Sequence, residues 1–109
     1  MKEYKIRLEG DDPFTVKAEV RPTNDKEIYE GRIILPEGCG IPESYRECLE
    51  NRPHFPIEFD FVGLVREESR NTQKVVVSTS IRHRTHSRDP IDRITTAVLL
   101  QYILQTRGM

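Results

Sequence analysis

The sequence predicts an α+β domain: a largely antiparallel five-stranded sheet, with a short middle helix and a long C-terminal helix packed on one face, in the order β-β-β-α-β-β-α. Three observations carry this. The first half of the chain alternates apolar and polar residues with period two. The last twenty residues repeat apolar positions every three or four residues. Between them, Pro- and Gly-rich stretches punctuate the chain at intervals typical of short strands.

In "EYKIRLE", Tyr4, Ile6 and Leu8 share one face while Lys5, Arg7 and Glu9 share the other. "FTVKAEV" repeats the pattern with Phe14, Val16, Ala18 and Val20 against Thr15, Lys17 and Glu19. Such alternation belongs to strands with one dry face and one wet face. "EGDDP" between them has the residues that favour a turn. A third strand, "EIYEGRIILP", keeps Tyr29, Ile33 and Leu35 in phase and stops at Pro36.

"PEGCGIP" then reads as a loop, and "PESYRECLEN" as the short helix, with Pro42 suited to its first turn. Tyr45, Cys48 and Leu49 fall on one side of that helix. After "NRPHFP", the most apolar strand is "IEFDFVGLV", where Ile57, Phe59 and Phe61 alternate with Glu58 and Asp60. Val62 and Leu64 then occupy the opposite parity. Either a β-bulge at Gly63 re-aims them or both faces are covered there. "KVVVSTSIRH" is the fifth strand, with Val75, Val77 and Ile81 in phase. Asp89 as N-cap and Pro90 at the first helical position open the long helix. Ile91, Ile94, Val98 and Tyr102 form its stripe, widened by Ala97, Leu100 and Leu104, and Arg107 and Gly108 close it.

At 109 residues the chain fits a single domain, 1–109, with a real core. A net charge of −1 argues against a protein that coats nucleic acid. The charge is uneven: residues 1–65 carry 9 Lys/Arg against 14 Asp/Glu, and residues 66–109 carry 8 against 4. The first ten residues lack the apolar stretch of a secretion signal, and "FVGLV" is the longest apolar run. The expected location is therefore the cytoplasm, with Cys39 and Cys48 reduced.

The densest chemistry is "SIRHRTHSRDP", residues 80–90. Arg82, Arg84, His86 and Arg88, with Arg93 one turn into the helix, have the residue types to hold phosphate oxygens. Contacts from the four arginines to a nucleic acid would give a salt slope of about −3.6. No aromatic residue interrupts the run, so it has no base-stacking platform. Asp89 and Asp92 already occupy the positive end of the helix. His83-Arg84-Thr85 resembles the short HxT element of the two-histidine phosphoesterases. Their chemistry uses two such elements, one histidine as base and one as acid, and His54 is followed by Phe55 and Pro56 instead. Cys39 in its Gly-rich loop could pair with His83 or His86 as a nucleophile, but a loop cysteine without a role is the favoured reading. His83 and His86 lack the further ligands of a zinc motif, and there is no Walker loop, GxGxxG, HExxH or GxSxG. The expectation is no metal, no cofactor and no assigned catalytic residue.

The remaining reading is an interface. Val62, Leu64 and Val76 put an apolar stripe on the sheet's otherwise wet face. The long helix is apolar around so much of its girth that Leu99 and Ile103 are expected to face a partner. A small protein-binding module, adaptor- or inhibitor-like and homo-oligomeric, is the favoured function. An anion- or nucleic-acid-binding protein using the Arg82–Arg93 segment is the alternative.

Overall fold

The computed structural model describes residues 1–8, 12–36, 56–69, 72–80 and 90–106. The short helix at 42–51, both cysteines, the histidines and most of the basic segment lie outside the described residues. The described residues form an α+β fold. Five antiparallel strands follow one another as a meander, β1 (Lys2–Ile6), β2 (Phe14–Pro22), β3 (Ile28–Leu35), β4 (Ile57–Ser69) and β5 (Thr72–Thr79), and lie in that same order across the sheet. A single described helix, α1 (Pro90–Thr106), packs on one face.

Period two sets which residues are inside. Tyr4 and Ile6, then Phe14, Val16 and Ala18, then Ile33 and Leu35, then Ile57, Phe59, Phe61 and Val65 are all buried toward the helix. Helix α1 closes that layer with Ile91, Ile94, Val98, Leu99 and Ile103. Thr95 is the polar residue in this set. Its hydroxyl donates to the Ile91 carbonyl at 2.8 Å, so burial leaves no orphan group. At the helix's far end Lys2 Nζ donates to the Gln105 side chain and lies 5.7 Å from the Tyr4 ring centroid. The Tyr29 and Tyr102 rings meet edge to face, with centroids 5.9 Å apart.

The β2–β3 connection is built by side chains. The Thr23 hydroxyl accepts from Asp25 N, and the Asp25 carboxylate accepts from Glu27 N at 2.9 Å. The loop is tied to the sheet, because Val65 N donates to the Glu27 carbonyl at 2.8 Å.

Two sequence expectations need correction. There is no bulge at Gly63. Ile28 through Leu35 pair with Leu64 through Ile57 without a break, and the β4–β5 irregularity falls later, between Glu67 and Ser69. Strand β4 keeps one phase from Ile57 to Val65. Gly63 is itself an inward position, so Val62 and Leu64 are outward apolar residues rather than the product of a slip. The second correction concerns the helix. Leu99 is 0% exposed and Ile103 2% exposed, so both belong to the protein's own core and not to an interface. With about 100° between successive residues, Ile91, Thr95, Val98, Leu99, Tyr102 and Ile103 fall on one half of the helix. Leu104, counted in the stripe, falls on the other half and is 60% exposed. Leu99 fits because Gly63 leaves space beneath it: a Cβ there would stand 2.5 Å from Leu99 Cδ2.

Candidate interface on the outer sheet face

Strand pairing arranges the face away from the helix in rows. Glu19, Arg32 and Asp60 lie opposite one another on β2, β3 and β4. The next row is Arg21, Glu30, Val62 and Ser78. The next is Ile28, Leu64 and Val76 on β3, β4 and β5. This face is thus charged across β2 and β3 and turns apolar toward β4 and β5. Val62 is 50% exposed and Val76 52%, while Ile28 and Leu64 are half-buried between their neighbours.

The charged rows alternate in sign, as cross-strand pairing favours. Arg32 Nε donates to Asp60 Oδ1 at 3.0 Å. That bond and the Asp60 charge push the Arg32 guanidinium above its ordinary value. Desolvation opposes the effect, and the charges of Glu58 and then Glu19 add smaller contributions to it. Arg21 bridges to Glu19 and, at 3.9 Å, to Glu30. Arg66 and Glu27 approach to 3.5 Å beyond the apolar row. These pairs are all about half exposed or more, so they orient side chains more than they stabilise the fold. Between them is a shallow hollow of about 540 Å³ lined by Arg21, Glu30, Arg32, Asp60, Val62 and Ser78.

The sequence-derived residues divide cleanly. Val62, Leu64 and Val76 lie together on the outer face. Leu99 and Ile103 lie across the sheet from them. Arg82, Arg84, His86 and Arg88 are outside the described residues. Arg93 is half-buried and stands at the rim of a second groove, about 500 Å³, between Val75 and Val77 of β5 and Ala97 and Leu100 of α1. Its engaged side chain and neighbouring Asp92 make that rim polar. Ile28 was missed as the patch's fourth member. Its own strand places it on the outer face, but only the β3–β4 register places it beside Leu64.

Among the described residues, no three His, Cys, Asp or Glu side chains gather as a metal site, and no helix is long and apolar enough to cross a membrane. No protein-family model, curated protein or solved structure matches this chain.

Proposed function

We propose that this chain is a small, non-enzymatic protein-binding module, adaptor- or inhibitor-like, acting in the cytoplasm through the outer face of its sheet. One observation carries the reading. Val62 and Val76 are half exposed beside Leu64 and Ile28, next to the charged rows formed by Glu19, Arg32 and Asp60 and by Arg21 and Glu30. Burying apolar surface contributes about 25 cal/mol per Å², so two exposed valines within a contiguous patch favour contact with another protein. The flanking Arg21, Glu30, Arg32 and Asp60 form a polar rim of the kind that sets register and excludes water around an apolar centre.

The test is affinity capture with the full chain from extracts of its own source, in parallel with Val62→Lys. A protein retained by the parent chain and lost with the variant is then purified and titrated against both. Saturable binding that weakens at least tenfold in Val62→Lys, about 1.4 kcal/mol or more, supports the reading. Identical retention and affinity for both chains would reject it.

A further inference from the structure

We propose that a second copy of this chain is one partner, joined through β5 edge to β5 edge in antiparallel register about a two-fold axis at Val76. This rests on the protein-contact reading and names one occupant for the surface. Strand β5 pairs with β4 on one side, and the described sheet ends there. An unpaired edge exposes backbone donors and acceptors that template another strand. The opposite edge, β1, has only five residues, "KEYKI", of which Lys2, Glu3 and Lys5 are charged. Strand β5 runs to eight residues, "TQKVVVST", with three successive valines, no proline and Lys74 as its one charge.

The hydrogen-bond phase of the sheet fixes which backbone groups point outward. Ser80 N donates to the Asp60 carbonyl at 3.0 Å, so this pair belongs to the bonded set of the β4–β5 ladder. In an antiparallel ladder bonded and non-bonded pairs alternate. Val62–Ser78, Leu64–Val76 and Arg66–Lys74 are therefore also bonded pairs. The backbone groups of Gln73, Val75, Val77 and Thr79 point away from β4, toward the open edge.

Side-chain matching then selects the register. Centred on Val76, the pairing sets Val76 against Val76 of the second copy and Val75 against Val77. Lys74 meets Ser78, and Gln73 meets Thr79. No like charges face each other, and every valine meets a valine, the β-branched pairing that stabilises cross-strand neighbours. Centring on Val75 would instead oppose Lys74 to Val76, and centring on Lys74 would oppose two ammonium groups. With the axis at Val76, Val75 and Val77 exchange backbone bonds. The central valines form a non-bonded pair, where side chains come closest. The outer row then runs Ile28, Leu64, Val76, Val76, Leu64, Ile28 across both copies, and both helices lie on the same side of the sheet.

The contact is a strand edge plus a short apolar row, smaller than a standard stable interface, so the dimer is concentration-dependent. Sedimentation velocity on the full chain from about 5 to about 300 µM reads it directly, a range suited to a transient contact. The expected result is a shift from monomer to dimer mass across that range. Val76→Lys, at an exposed position, places two ammonium groups on the axis and holds the protein monomeric. Val75→Pro removes an outward N–H while leaving the β4 ladder whole, and it too keeps the chain monomeric, with far-UV circular dichroism reporting the fold. Val62→Lys, one strand away, leaves the dimer intact. A monomer at every concentration, or a dimer indifferent to Val76→Lys, overturns the proposal. Capture of another protein that depends on Val62 would survive that result, so the two readings fail separately.

Discussion

Gly63 and Leu99 occupy one space: a single carbon added to Gly63 would stand 2.5 Å from Leu99 Cδ2. Leu99 is completely buried, so it has little room to withdraw. The glycine thus decides how deeply the helix seats on the sheet. Gly63→Ala is expected to destabilise by about 1–3 kcal/mol through overpacking. Leu99→Ala alone should cost about 2–5 kcal/mol as a cavity. The double variant should cost less than the sum, because each change relieves the other. Urea denaturation of the four proteins measures this coupling. Strict additivity would mean that the two side chains do not share the space.

Gly31 is the harsher case. A Cβ there would lie 1.9 Å from the Glu19 carbonyl oxygen and 2.9 Å from Phe61 Cε1. The first obstacle is backbone in the paired neighbouring strand, which cannot rotate away as a side chain can. Gly31→Ala is expected to exceed Gly63→Ala in cost, at more than ~3 kcal/mol. A lower urea midpoint for Gly31→Ala than for Gly63→Ala confirms the order, and the reverse order contradicts it.

These two glycines show what was legible in the sequence and what was not. Alternation placed the dry faces of β1, β2 and β3 because each strand has one side on the core, whereas the order of the strands across the sheet came only from their pairing. Gly63 misled because a glycine among apolar residues looks like a bulge when the neighbouring strand is unknown. Leu99 and Ile103 were misplaced for the same reason. A helix's apolar surplus cannot be divided between core and interface until the sheet beneath it shows where it has space. Val62, Leu64 and Val76 were found by parity alone. Their union with Ile28 depends on register, which pairs residues far apart in the chain.

Tyr4 gives the fold an alkaline edge. Its ring is buried, and burial followed by the nearby Tyr102 raises its hydroxyl above the usual value of about 10. A raised acid favours its neutral form in the folded state. The corresponding stability is present in full below the unfolded value and is lost as pH rises through the folded one. Urea midpoints between pH 9 and 11.5 should fall with pH more steeply for the parent chain than for Tyr4→Phe. Parallel curves would show that Tyr4 ionisation is not linked to folding.

The apolar residues of the outer face should matter little to the isolated fold. Val62 is half exposed and lies across the sheet from the helix. Val62→Lys is expected to stay within ~0.5 kcal/mol of the parent in urea, as surface substitutions usually do. A loss of several kcal/mol would show that the outer face is covered by the chain itself.

The central claim, that this face is where the protein meets other proteins, is tested most directly by photo-crosslinking inside its own cells. A photoreactive phenylalanine analogue is placed at Val62, and in separate chains at Leu104 and at Gln105, both on the exposed side of the helix. The account predicts discrete protein adducts from position 62 and none, or far fewer, from 104 and 105. Equal labelling at all three positions, or adducts from the helix alone, would contradict it.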